Sequence, residues 1–256
     1  MLLHRVIAHL RKQEWTAIAI DFLIVVVGVF VGLQVNNWNM ARVERSAEIN
    51  YLSTMEEDVV YSIGKLEELI AALERQEEAR AALYTFSLDP KATMEPHLRD
   101  RLVAHGLFHL ATLNIRQVTY EALKGSGRLN AISSPPLISA LQSLSAEVAD
   151  AVRREQDETQ ITYLFSDPPL ISGIDMAGPF RHPNVNGAPP PISWLPDAAP
   201  SSISPAVMRT LAFRNAILYR SYMSSTRLLD VRRMLESHRR IAGLIDQRQA
   251  EIGAPQ

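Results

Sequence analysis

A long apolar run near the N-terminus constrains this chain more than any other feature. Residues 16–35 read TAIAIDFLIVVVGVFVGLQV, and Asp21 is the one charged residue among them. Twenty helical residues span about 30 Å, the thickness of the hydrocarbon core of a bilayer. Trp15 and Trp38 flank the run, where membrane proteins place aromatic side chains at the lipid–water interface. The sequence therefore predicts a transmembrane helix over 16–35, with Trp15 and Trp38 at its two membrane interfaces.

Two other structures could account for this run, a buried core helix and a cleaved signal peptide. A core helix of this length normally keeps a polar face, which this run lacks. A signal peptide has a shorter apolar region followed by small residues at the cleavage site, whereas Asn36, Asn37 and Asn39 follow here. We interpret the run as an uncleaved signal anchor that crosses the membrane once.

Basic residues on the two sides of the run predict its orientation. Three precede it and two follow it, namely Arg5, Arg11, Lys12, Arg42 and Arg45. Because Lys and Arg are enriched on the cytoplasmic side of membrane proteins, this small excess predicts a cytoplasmic N-terminus. Residues 1–15 would form a short basic cytoplasmic segment, and the bulk of the chain would lie on the far side of the membrane.

Two glycines within the run predict a helix–helix interface. Gly28 and Gly32 form a G-x-x-x-G motif, which lets two helix backbones approach closely in a membrane. Asp21 lies on the same helical face, and a carboxylate that faced lipid would be costly. Asp21, Gly28 and Gly32 are therefore predicted to face a partner helix, in a homodimer or in another membrane protein. The alternative is that these glycines have no partner, since glycine is common in spanning helices.

Helical periodicity dominates the chain beyond the span. The predicted fold class is all-α, with one N-terminal transmembrane helix followed by an elongated helical bundle or coiled-coil-like domain. Over residues 40–165, the sequence predicts one long amphipathic helix and several shorter helices. The long helix covers 44–88, and its three- and four-residue apolar spacing is typical of a heptad seam. That seam consists of Ile49, Leu52, Val59, Ile63, Leu66, Ile70 and Leu73. The shorter helices are predicted over 96–113, 114–124 and 135–165.

Prolines set residues 166–205 apart from the rest. This segment contains ten of the fifteen prolines, which predicts an irregular excursion without helix or central strand. It is either a loop that covers the bundle, anchored by Phe180 and Trp194, or a strip that docks a partner.

A long Arg-rich helix is predicted over 206–252. Its apolar seam consists of Val207, Leu211, Leu218, Tyr222, Leu229, Leu235, Ile241 and Ile245. Residues 44–89 hold eleven acidic and four basic side chains, whereas 206–256 hold nine arginines and four acidic side chains. Helices of opposite charge with apolar seams are expected to pack together, so 206–252 is predicted to lie antiparallel on 44–88. The pairing could instead join two subunits, and the arginines could face solvent or anionic lipid.

Two phrases of this sequence resemble a family of bacterial single-pass membrane proteins of uncharacterised function. They are GVFVGLQVNNWN at 28–39 and TYEALKGSGRLNAI at 119–132. The resemblance is close over 15–45 and 115–145, looser elsewhere, and has no counterpart for 166–205. It implies an anchored helical protein, and it implies no activity, cofactor or catalytic residue. Taken with the span, it predicts a location in the bacterial inner membrane.

Chemistry-bearing motifs are scarce in this sequence. The chain has no cysteine, which excludes disulfides, thiolate metal sites and cysteine nucleophiles. Nucleotide-binding and hydrolase motifs are missing, so we predict neither an enzyme nor a cofactor. His105 and His109 lie four residues apart and could chelate a metal with His97. Because no carboxylate stands nearby at ligand spacing, two ordinary histidines on a helix flank are the favoured interpretation, and no metal site is predicted. A net charge of −2 gives no support for nucleic-acid binding.

Three functions remain open at this stage. The favoured prediction is a membrane-anchored helical protein of the bacterial envelope that acts by protein–protein interaction or scaffolding. The alternative is a ligand-sensing extracytoplasmic domain that signals through a partner. An enzyme is the third, for which the sequence offers only the histidine pair.

Overall fold

The computed structural model describes residues 15–182, 192, 194–195 and 203–253, and the regular structure in these residues is entirely helical. This confirms the predicted all-α fold class. The basic segment that precedes the span and most of the second half of the proline-rich excursion lie outside the described residues, as do the side chains of Trp15 and Asp21. The α-helices are α1 Trp15–Leu88, α2 Pro96–Val103, α3 Val118–Gly125, α4 Pro135–Ile161, α5 Asp167–Ile171, α6 Pro205–Met208 and α7 Leu211–Gly253.

The chain divides into two compact units, 1–51 and 52–256, and α1 contributes to both. In the first unit, the side chains of residues 22–44 are exposed. In the second unit, α1 supplies one side of an apolar core. Leu52, Leu66 and Leu83 on this helix are fully buried. Four members of the predicted seam are buried, namely Leu52, Val59, Leu66 and Leu73. The prediction is wrong at the other three, because Ile49 is exposed and Ile63 and Ile70 are only half-buried, while Ser62 and Leu69 are buried instead.

Polar caps and prolines define several helix starts. The Glu95 carboxylate accepts a hydrogen bond from the backbone N–H of Leu98 at 2.9 Å, and proline follows at the first position of α2. Ser204 does the same for α6, where its hydroxyl accepts from the N–H of Ala206 at 3.2 Å. Such caps satisfy N–H groups that have no partner inside the helix.

The predicted helix over 96–113 is too long. After α2 the chain forms one wider π-helical turn, Ala104–Phe108, which closes with a hydrogen bond from His109 N–H to Ala104 O at 2.9 Å. Residues 109–117 are not helical, so the next helix begins at Val118 rather than at 114. The helix predicted over 135–165 is α4, which ends at Ile161 and passes into a second π-helical turn, Thr162–Ser166.

Two further differences concern prolines and a helix start. The excursion 166–205 was expected to contain no helix, yet it begins with α5. Prolines are tolerated in a first turn because the N–H groups there have no intrahelical partner. The helix predicted over 206–252 is interrupted at 209–210 and continues as α7. At that restart, the hydroxyl of Thr210 accepts from the N–H of Phe213 at 3.2 Å.

The helices α1 and α7 run antiparallel within the second unit. The carboxylates of Glu74 and Glu67 bind Arg232 and Arg239 at 2.6 and 3.0 Å. Gln249 Nε2 donates to a Glu56 carboxylate oxygen at 3.0 Å. Residue numbers fall along α1 as they rise along α7, so the acidic flank of one helix follows the basic flank of the other. The helix α4 also packs along α7.

The seam predicted for α7 is wrong in the first half of the helix. Four of its members form an outer stripe that faces away from the core: Leu211, Leu218, Tyr222 and Leu229, which are 65, 48, 68 and 62% exposed. An inner stripe is buried instead, consisting of Phe213, Ile217, Arg220 and Ser224. Both stripes have helical spacing, and the sequence pattern favoured the one that contains no charge.

Candidate functional sites: apolar surfaces and a buried polar network

The N-terminal part of α1 is long and apolar enough to cross a membrane. None of its most apolar stretch is buried, and Phe22, Phe30 and Trp38 are 70, 60 and 70% exposed. This exposure separates it from the core helix of a water-soluble protein, whose apolar side chains are mostly buried. Trp38, predicted at a membrane interface, stands exposed just beyond the apolar residues.

Gly28 and Gly32 leave an open strip on this part of α1. A Cβ atom added at either position would meet no atom within 4 Å. A second helix could therefore approach closely at both glycines, and none of the described residues occupies that space. The prediction that Asp21, Gly28 and Gly32 meet a partner helix stays a prediction.

The exposed face of α7 changes character along the helix. From Leu211 to Leu229, exposed positions carry no charged side chain. Over the next turns the exposed face becomes strongly charged, with Arg232, Arg233, Glu236, Arg239 and Arg240. Two of these arginines bind the acidic flank of α1. The part from Leu211 to Leu229, which has no fully exposed charge, holds the outer stripe.

Arg80 connects α1 to the first π-helical turn. Its Nε donates to Gly106 O at 2.8 Å, while its guanidinium also reaches Glu77 at 2.9 Å and Gln76 at 3.2 Å. Gln76 Nε2 in turn donates to His109 O at 2.8 Å. Burial lowers the pKa of Arg80, and the nearby Glu77 carboxylate opposes that shift. These two side chains satisfy carbonyl groups that the turn leaves without a helical partner.

Gly106 permits this close contact. A Cβ atom at this position would lie 3.3 Å from Arg80 Cγ and 3.4 Å from the Arg80 backbone nitrogen. An alanine at this position would require Arg80 to move by a few tenths of an ångström. The glycine therefore has a packing role at the point where the turn crosses α1.

Two further arginines connect α7 to its neighbours, one through a buried ion pair and the other through half-buried ion pairs. Arg220 is 6% exposed and pairs with Asp167 of α5. Burial lowers the pKa of Arg220, and the Asp167 carboxylate acts in the opposite direction. Arg227 pairs with Glu155 at 2.6 Å and with Glu158 at 3.7 Å, both on α4. Arginines on the inner side of α7 therefore pair with carboxylates on α5 and α4.

The phrase at 119–132 forms α3 and the turn that follows it, and α1 holds this corner in place. The Asp58 carboxylate accepts from both the N–H and the hydroxyl of Thr119, at 2.9 and 2.8 Å. Ser62 Oγ accepts from the N–H of Arg116 at 2.8 Å, and the Arg116 guanidinium lies 3.6 Å from the centre of the Tyr61 ring. These contacts make the phrase a packing corner on α1.

The structure brings His105 and His109 together, with ring centres 5.4 Å apart. Both ring nitrogens of His109 are buried without a hydrogen-bond partner. Burial, assisted by His105 and His182, lowers the pKa of His109 to about 4. The described residues contain no group of three or more His, Asp or Glu side chains that could hold a metal ion. His97 therefore does not complete a ligand set with this pair.

Polar side chains on α4 and the second π-helical turn line a shallow depression that is open to solvent. It consists of Glu155, Gln156, Thr159, Gln160 and Tyr163. Glu155 is already engaged by Arg227 and by the N–H of Leu113 at 3.0 Å.

Sequence reasoning did not predict the buried arginines, although it did locate the histidine pair. The available signal was the periodicity of α1 and α7. Arg80 and Arg220 occupy positions in register with apolar core residues on their own helices. A charged residue at a core position indicates a buried pair, but the pattern does not say which carboxylate completes it.

Comparisons of the chain with protein-family models, with curated proteins and with solved structures find no match.

Proposed function

We propose that this chain is a single-pass, membrane-anchored helical protein of the bacterial inner membrane that acts by protein–protein interaction. The observation that carries the proposal is the exposed apolar surface of α1, which surrounds the helix over residues 22–35. Exposed apolar surface costs about 25 cal/mol per Å² in water, whereas lipid tails solvate it without that cost. A membrane therefore supplies the environment that this segment requires.

The proposed topology places the N-terminus in the cytoplasm and the bundle on the far side of the membrane. Its support is the small excess of basic residues before the span. In this topology the bundle would act through proteins that it contacts in the envelope or the membrane.

An interaction role, rather than catalysis, agrees with how the polar side chains are used. Arg80, Arg220 and Arg227 are each bound to carboxylates or backbone carbonyls of neighbouring elements. They link helices to one another. Apolar side chains, by contrast, are left on the surface of α7. The resemblance to anchored bacterial proteins points in the same direction.

Membrane fractionation of the full-length chain in bacteria tests the anchor. We expect the chain in the membrane pellet after alkaline washing and its release by detergent. Val27→Arg should reduce the membrane-bound fraction at least about ten-fold, because a central arginine opposes insertion. Val60→Arg is the matched control, because Val60 is also an exposed valine of the same helix but lies beyond the apolar residues. A wild-type chain that stays in the supernatant as a monomer would contradict the proposal.

Reporter fusions after residue 12 and at the C-terminus test the topology. We expect cytoplasmic activity from the first and activity on the far side of the membrane from the second. The reverse pattern would contradict the proposed orientation but not the membrane anchor.

The ligand-sensing alternative has a test of its own. A small molecule that raises the unfolding temperature of the solubilised protein would favour that alternative.

A further inference from the structure

The first half of α7 keeps its more apolar stripe on the outside. The inner stripe includes Arg220 and Ser224, whereas the outer stripe contains only leucine and tyrosine. Single exposed leucines are ordinary on protein surfaces, but an aligned set is typical of an interaction surface. The outer stripe extends over 19 residues of helix, from Leu211 to Leu229, or about 27 Å. Its composition and continuity indicate that another surface covers it.

The residues between the members of the outer stripe complete a heptad pattern. Asn215 and Ser225 are exposed and stand on the same face, so positions 211, 215, 218, 222, 225 and 229 follow a four–three spacing. This spacing is that of the contact positions in a two-stranded coiled coil. A single asparagine among apolar contact positions sets register, since its amide both donates and accepts a hydrogen bond with an identical partner.

The charges around the stripe suit a contact between identical faces. A symmetric contact brings the same patch of both subunits together, so each charge at its centre would meet a like charge. Between Leu211 and Leu229 the charged side chains are Arg214, Arg220 and Arg227, which are buried or half-buried and are not members of the outer stripe. Arg214, which flanks Asn215, donates to the backbone carbonyl of Arg209 at 3.2 Å. Fully exposed charges begin at Arg232, where self-contact would bring arginines together. The stretch without fully exposed charges therefore suits self-association, and it ends where repulsion would begin.

We propose that the outer stripe binds the outer stripe of a second copy of this chain, with the two α7 helices parallel and in register. In this pair, Leu218 and Tyr222 meet their own counterparts, and the two Asn215 amides bind each other. The pairing identifies a second copy of the chain as a partner for the proposed interaction role, and it rests on that proposed function. Because the outer stripe lies outside the apolar span, the pairing can be tested separately from the membrane anchor.

Cysteine cross-linking in bacterial membranes tests the contact directly. The natural chain has no cysteine, so each single variant introduces one thiol. We expect Leu218→Cys to form a disulfide-linked dimer, and Leu88→Cys to give at most a tenth of that yield. Leu88 is a similarly exposed leucine at the end of α1. Equal yields at both positions, or no dimer at Leu218, would overturn the pairing.

A charge substitution provides the second test. Leu229→Arg should raise the dimer dissociation constant of the detergent-solubilised full-length protein at least ten-fold, whereas Leu88→Arg should leave it unchanged. Circular dichroism of both variants checks that they are folded. A wild-type monomer, or a dimer insensitive to Leu229→Arg, would overturn the proposal, because association through the span or another surface would not depend on this leucine. A chain absent from the membrane fraction would instead contradict the proposed function.

Discussion

The two stripes of α7 differ in a way that burial of apolar surface alone does not explain. The outer stripe is apolar and exposed, while the inner stripe buries Arg220 beside Phe213 and Ile217. The buried arginine has a carboxylate partner in Asp167, so its charge is compensated within the bundle. The core therefore buries the stripe whose charge other helices can compensate, and the more apolar stripe of α7 stays on the surface.

The same comparison assigns different roles to the stripes. The inner stripe should determine the stability of the bundle, whereas the outer stripe should affect association and leave the folded monomer nearly unchanged. Substitutions on the two stripes therefore test whether these roles differ.

The largest expected effect is the loss of an inner aromatic side chain. Phe213 is fully buried, and Phe213→Ala should lower the free energy of unfolding by about 3–5 kcal/mol through lost burial and a residual cavity. Leu218→Ala on the outer stripe should cost about 0.5 kcal/mol or less. Urea unfolding of the full-length protein in detergent, followed by circular dichroism at low protein concentration, measures both. Similar losses for the two variants would remove the distinction between the stripes.

A smaller but still large effect is expected from the buried ion pair. Asp167→Ala leaves Arg220 buried without its carboxylate, and we expect a loss of about 3 kcal/mol. Arg239→Ala removes an exposed pair between α7 and α1 and should cost about 0–1 kcal/mol. The same unfolding measurement compares them. If the exposed pair proved as costly as the buried one, burial would not be the source of the difference.

The smallest expected effect is a pH dependence from His238, which continues the buried side of α7. Burial lowers the pKa of His238 below its ordinary value of 6.5, although its Nδ1 contacts Met234 O at 2.8 Å. The unfolded chain therefore binds a proton more readily, and stability should fall as the pH drops below about 6.5. His238→Gln should make the unfolding midpoint less sensitive to pH between 7 and 5. Arg153→Gln, an exposed substitution on α4, should leave that sensitivity unchanged.

Several features of the fold could be read from local patterns. Helical periodicity with few glycines predicted the all-α class, and the proline after Ser204 marked the start of α6. The apolar residues of the span were identifiable because their length and composition need no tertiary information. The charges of α1 and α7 predicted an antiparallel pair, and ion pairs such as Glu74–Arg232 connect these helices in that direction. Of the candidate sites, the histidine pair was located correctly as a pair of neighbours.

Other features depended on contacts between distant residues. The break after α2 arises where Gln76 and Arg80 bind carbonyl groups of the π-helical turn, and no local signal specifies those hydrogen bonds. The buried position of Arg220 likewise depends on Asp167, which lies 53 residues away in the chain. The sequence pattern predicts that such an arginine faces solvent, because local periodicity does not identify a partner that lies far away in the chain.

Local sequence patterns are enough to establish that the chain is helical, that one segment is apolar on all sides and that its two long helices carry opposite charge. These properties follow from the side chains of each segment and the geometry of a single helix. Which stripe of α7 enters the core depends on the packed bundle, since both stripes have helical spacing and the inner one needs carboxylates supplied by other helices. The face of a helix that is buried is a property of its neighbours as much as of its own residues.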